Sequence, residues 1–194
     1  MKLHSMIGAA VMGSALMAAS AAQAVVVRYV ANLGPEVTGA TGSGFVSVDY
    51  DNIAHTLLID ADWTGLSGVT TIAHIHCCTA VPGTGTVGVA VTPGTLPGFP
   101  VGITSGSYTT TLNLAQGPTY TGTFLTGAGG TAALAEARLI QGINDGQAYF
   151  NVHTSTFGGG EIRGFLAPIP EPETYALMLA GLAAVGIAAR RRLG

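Results

Sequence analysis

Basic side chains are almost missing from this chain. Its one lysine is Lys2, and three of its six arginines are Arg190, Arg191 and Arg192 at the C-terminal end. Between residues 25 and 168 only Arg28, Arg138 and Arg163 remain, against eight acidic residues. That balance excludes a positive face for nucleic acid, so no nucleic-acid partner is expected. An acidic, lysine-free surface suits solubility or a cation partner instead. Charge of either sign is scarce, at 9% of residues against about 25% in ordinary soluble domains. Cysteine is limited to Cys77 and Cys78, which are adjacent. A bridge between neighbours closes no loop, so a disulfide-stapled scaffold is excluded. There is no Gly-x-Ser-x-Gly elbow, no phosphate loop and no His-Glu-x-x-His pair. The run Gly158-Gly159-Gly160 is read as a turn, since no helix start follows it to cradle a phosphate. No enzymatic activity is expected.

What is present begins with two apolar ends. Residues 1–24 have the order of a secretory signal: Lys2, an uncharged apolar stretch over 6–19, then Ala22-Gln23-Ala24 as an A-x-A cleavage site. Signal peptidase is the partner this implies, with Ala22 and Ala24 filling its small-residue pockets. At the other end, Pro170-Glu171-Pro172 precedes an apolar run over 175–189, closed by Arg190, Arg191 and Arg192. An apolar helix closed by basic residues is a stop-transfer arrangement, and positive charge stays cytoplasmic. The run is slightly short for a span, which takes about 20 residues. A hydrophobic helix is therefore expected to flank the domain at each end, with transient membrane insertion through the second.

This tripartite tail, residues 169–194, resembles the PEP-CTERM sorting signal of Gram-negative bacteria. The resemblance implies recognition and removal by an exosortase, a membrane peptidase. It also implies delivery to the cell surface or the extracellular polysaccharide matrix, after an inner-membrane stage.

The middle of the chain reads as short β segments. Residues 44–50 alternate, with Val46, Val48 and Tyr50 on one face; residues 56–63 put Leu57, Ile59, Ala61 and Trp63 together and turn Asp60 and Asp62 away. Asp51-Asn52 between them is a turn candidate. Further strands are expected over 70–77, 147–153 and 161–166, with a short one over 86–91 inside a Gly- and Pro-rich loop. Residues 107–114 and 119–125 read as a strand pair joined through Gly117-Pro118. One helix is expected over 131–143, capped by Thr131, with Leu134, Ala137, Leu139 and Ile140 on one face. The fold class is all-β, an antiparallel sandwich or barrel with one short helix.

Three of the histidines stand in a pattern with chemical meaning. His74 and His76 are two apart on one strand, so their imidazoles share a face with about 7 Å between Cα atoms. Tyr149, Asn151 and His153 share a face of another strand. If the two strands are neighbours, His74, His76 and His153 form a three-nitrogen site for copper or zinc. The alternative is that these are buried histidines hydrogen-bonded to the backbone or to a carboxylate. Cys77 and Cys78 leave three options open: a vicinal bridge, free thiols, or soft ligands beside His76. Glu161 and Arg163, two apart, are read as an ion pair or as partners of neighbouring strands.

The segments Ala73-His74-Ile75-His76, Gly146-Gln147-Ala148-Tyr149-Phe150-Asn151-Val152-His153-Thr154 and Gly159-Gly160-Glu161-Ile162-Arg163-Gly164 resemble the CHRD domain, named after chordin. The resemblance spans roughly residues 25–166 and implies an immunoglobulin-like, Greek-key architecture without implying a settled activity. Cys77-Cys78 departs from the family, which commonly has Gly-Pro there. The expected organisation is a signal peptide over 1–24, a CHRD domain over 25–168 and a sorting tail over 169–194. The expected role is a structural or binding module at the cell surface. A second likeness is to copper-zinc superoxide dismutase, where a His-x-His pair and a distant histidine hold copper, as His74, His76 and His153 could. The bridging imidazole and the His- and Asp-rich zinc loop of that family have no counterpart here, and dismutase activity is not expected.

Overall fold

The computed structural model describes residues 26–169 and 179–182. The cleavage site at Ala22 and Ala24, the Pro170-Glu171-Pro172 motif and Arg190, Arg191 and Arg192 lie outside them. Of the apolar run near the C-terminus only residues 179–182 are described, as one helical turn exposing Leu179 and Leu182. Among the described residues no helix is long and apolar enough to cross a membrane.

Alternation of apolar and polar side chains dictates the first half of the chain. Strands β1 (Val26–Pro35), β2 (Ser43–Asp51) and β3 (Thr56–Thr64) pair antiparallel in sequence order. Val46 and Val48 on β2 and Leu57, Ile59, Ala61 and Trp63 on β3 are buried, while Asp60 and Asp62 face out. The β2–β3 turn is held by the Asp51 carboxylate, which accepts from the backbone N–H of Ile53 and Ala54 at 2.8 Å each. His55 closes it with φ of 52°, in the left-handed region.

Strands β4 (Thr70–His76), β5 (Val89–Val91), β6 (Gly106–Asn113), β7 (Tyr149–Thr154), β8 (Ile162–Phe165) and β9 (Ala167–Pro168) complete one sheet. Its path is β5-β4-β7-β8-β1-β2-β3-β6, with β9 added against β1. The strand pairings among the described residues are antiparallel, and the sheet curls into a half barrel around an apolar interior. The protein is thus mostly β with few helices.

Two expectations are corrected. Residues 119–125 are not a strand beside residues 107–114. A 3-10 turn over Gly117–Thr119 is followed by a short helix α1 (Gly122–Gly127), and β6 instead lines up with β3 from Trp63↔Gly106 to Thr56↔Asn113. Pro118 sets the turn, and the Thr121 side chain accepts from the Phe124 N–H, capping α1. Tyr120 keeps a single bridge to Val91.

The second correction concerns α2 (Ala132–Asn144), which is present with Thr131 as its N-cap. Its buried stripe runs through Ala135, Glu136, Leu139, Gly142 and Ile143, while Leu134 is half exposed. A glutamate on the inner face hid that stripe from a hydrophobicity reading. Glu136 is tolerated there because Tyr50 donates to it at 2.7 Å and the His55 ring approaches at 2.9 Å. Hydrogen bonds of this kind offset the cost of burying a carboxylate.

Candidate metal centre

β4 and β7 are neighbours, and their register decides the site. His74 lies opposite Asn151, His76 opposite Tyr149, and Ile72 opposite His153. All three histidines therefore project from one face of one strand pair, and all three are buried. One ring nitrogen from each lies within 4.8 Å of those of the other two. The strand-neighbour condition set by the sequence is met.

The remaining nitrogens fix the tautomers. His74 Nε2 donates to Gly94 O at 2.5 Å, His76 Nδ1 to Val87 O at 2.7 Å, and His153 Nδ1 to Gly158 O at 2.9 Å. A carbonyl oxygen only accepts, so each of these nitrogens carries the hydrogen. In the neutral rings the lone pairs then sit on His74 Nδ1, His76 Nε2 and His153 Nε2. His74 Nδ1 and His153 Nε2 face each other at 3.3 Å. His76 Nε2 is buried without a hydrogen-bond partner among the described residues. Three basic lone pairs thus converge, each ring oriented from behind by the backbone, the arrangement that protein metal sites use.

Electrostatics disfavour protonation of His74 and His76. Burial pushes the His74 pKa below its ordinary value; the neighbouring His153 and His76 add to that push, against the Gly94 carbonyl. Burial lowers that of His76 as well, with His153 adding to it. Neutral imidazole is the form that ligates. The walls are aromatic: the Tyr149 ring stacks on His76 with centroids 4.7 Å apart and planes 4° apart. Arg163 lies over Tyr149 and donates to Glu36 at 3.3 Å and to Gly85 O at 2.9 Å.

Cys77 and Cys78 are bridged to each other, the first of the three options. Their sulfurs press against Gly142 of α2, where a Cβ would collide with both. Among the His, Cys, Asp and Glu side chains of the described residues, the ligand atoms that converge belong to the three histidines, and a bridged sulfur offers no thiolate. Cys77 also lines a cleft of about 470 Å³ with Val87, Phe124 and Arg138, which contains none of the histidines. Glu161 and Arg163 take separate partners. Glu161 is fully buried and accepts from Ser67 N at 2.6 Å, Ser67 Oγ at 2.8 Å and Thr154 Oγ1 at 2.6 Å, whereas Arg163 pairs with Glu36.

Sequence reasoning placed Asn151 on the same strand face as His153 without giving it a role, and passed over Glu36. Asn151 is almost wholly buried, and its Nδ2 donates to Glu36 Oε2 at 3.3 Å. The signal available was its place between Tyr149 and His153 on the ligand-bearing face.

The family model of the CHRD domain matches residues 18–166, and that of the PEP-CTERM protein-sorting motif matches residues 168–192. No curated protein and no solved structure matches the chain. A PEP-CTERM motif implies export toward the cell surface of a Gram-negative bacterium and processing by exosortase-type sorting machinery. The chain belongs to the CHRD-domain family and ends in a PEP-CTERM sorting motif.

Proposed function

We propose that the mature protein, residues 25–168, is a non-enzymatic extracellular module that holds a copper or zinc ion with His74, His76 and His153. The observation that carries this reading is the convergence of three lone pairs within 4.8 Å while each ring's other nitrogen is held by a carbonyl. A ligand distance of about 2.1 Å to zinc fits nitrogens at such separations. With both nitrogens of each ring committed, none is left as a general base, which favours holding a metal over turnover. The net negative surface favours cation uptake as well.

The same proposal covers the cellular context. Signal peptidase removes residues 1–24, the tail passes through an inner-membrane stage, and the released domain resides at the surface or among extracellular polysaccharide. An immunoglobulin-like Greek key belongs with it, supported by the antiparallel pairing throughout.

The test is elemental analysis of the mature domain purified from the exported fraction without chelator. One equivalent of copper or zinc is expected, and its loss in a His74→Ala/His76→Ala double variant. Equal metal content in the two proteins overturns the reading. Robust superoxide or other redox turnover by the loaded domain would overturn its non-enzymatic part.

A further inference from the structure

The three imidazoles do not account for every unpaired group at the site. Two buried polar atoms lack a hydrogen-bond partner among the described residues, His76 Nε2 and Asn151 Oδ1. Asn151 shares a strand face with His153 and stands opposite His74 in register, one position along the same face from the partner of His76. Burying an amide oxygen without a donor is unfavourable. Both orphans are acceptors, so neither can satisfy the other.

The orientation of the amide is set from behind. Its Nδ2 donates to Glu36 Oε2 at 3.3 Å, and Glu36 Oε1 accepts from Arg163 at 3.3 Å. The carboxylate cannot donate, so it selects the NH₂ end and turns Oδ1 away. Gly160 makes room for this contact: a Cβ there would meet both the Glu36 carboxylate and Asn151 Nδ2.

We infer that Asn151 supplies the fourth ligand of the metal through Oδ1, giving a closed set of three nitrogens and one oxygen. The inference rests on the metal-binding reading above. Glu36 is a positioning residue, acting on the metal only through the amide. Four protein ligands leave no open coordination position, which marks a held ion and not a reactive one. An amide oxygen is a hard donor, so the set favours a divalent ion, zinc or copper(II), over copper(I).

The test uses the mature domain with zinc for affinity and cobalt(II) as a visible probe of coordination. Asn151→Leu is expected to weaken zinc about 10- to 100-fold and to change the cobalt(II) visible spectrum. Asn151→Asp puts an anionic oxygen in place of the amide oxygen, set against the Glu36 carboxylate, and is expected to change both the zinc affinity and the cobalt(II) spectrum. Wild-type zinc affinity and an unchanged cobalt spectrum in both variants overturn the inference while leaving the histidine site standing. Should Asn151→Leu fail to fold, unchanged affinity and spectrum in Asn151→Asp alone overturn it. Absence of zinc and cobalt binding by the wild type overturns the underlying metal reading.

Discussion

His74 Nδ1 and His153 Nε2 face each other at 3.3 Å across two hydrogen-bonded strands, and in the neutral rings neither has a hydrogen to give. Two lone pairs at that distance repel. Burial opposes protonation of His74, and under the metal-binding proposal a cation between the rings would relieve the contact.

The first prediction concerns stability. An ion that binds only the folded state adds about 2.7 kcal/mol at one hundred times its Kd. For a domain of this size that is a rise in Tm on the order of 8 °C. Zinc or copper(II) should raise the thermal midpoint of the mature domain, and a chelator should return it. The His153→Ala variant should show no such rise, and a rise equal to wild type would count against the site.

The second separates the cysteines from the metal. The Cys77–Cys78 bridge packs on α2 while the ligand nitrogens lie on the β4–β7 face. A Cys77→Ala/Cys78→Ala double variant should keep its full metal equivalent. Loss of the metal in a folded variant would return the cysteines to the ligand set.

The third rests on Glu161. Burial alone would push its pKa up, but hydrogen bonds from Thr154, Ser67 and Gly68 outweigh burial and hold it below its ordinary 4.5. A carboxylate depressed on folding contributes stability that is fully present above the unfolded value. That contribution is lost as pH falls through the folded one. Urea unfolding across pH 6 to 2 should show this loss. Glu161→Gln should flatten the acid limb and cost about 2 kcal/mol at neutral pH, since an amide keeps one acceptor oxygen and turns an NH₂ toward the donors that faced the other.

The fourth concerns Gly142. In an exposed helix interior, Gly→Ala stabilises by about 1 kcal/mol. Here the added methyl would collide with both bridged sulfurs. Gly142→Ala should therefore destabilise, by about 1–3 kcal/mol. Removing both sulfurs with Cys77→Ala/Cys78→Ala should rescue it in a double-mutant cycle followed by denaturant melts.

Legibility in the sequence followed the range of the interaction. The alternation that buries Val46 and Ile59 is local, and so is the Thr131 cap; both could be read directly. The His-x-His spacing placed two ligands on one face, and His153 was found because it too sits on an alternating strand. What could not be read was which strand lies beside which. The pairing of β6 with β3 skips the whole of β4 and β5, and residues 119–125 alternate well enough to pass for a strand. The role of Asn151 depends on Glu36, which is 115 positions away in the chain and reaches it only when β8 docks beside β1. The burial of Glu136 was not legible, because the Tyr50 and His55 groups that accommodate it belong to a distant hairpin.

β9 ends the domain in an unusual way. Pro168, the first residue of the matched sorting motif, is still in register with Tyr29, and the Ile169 N–H reaches Arg28 O at 3.0 Å. The matched motif thus begins inside the folded sheet: the first residue that sorting machinery would read is also the last residue of a strand.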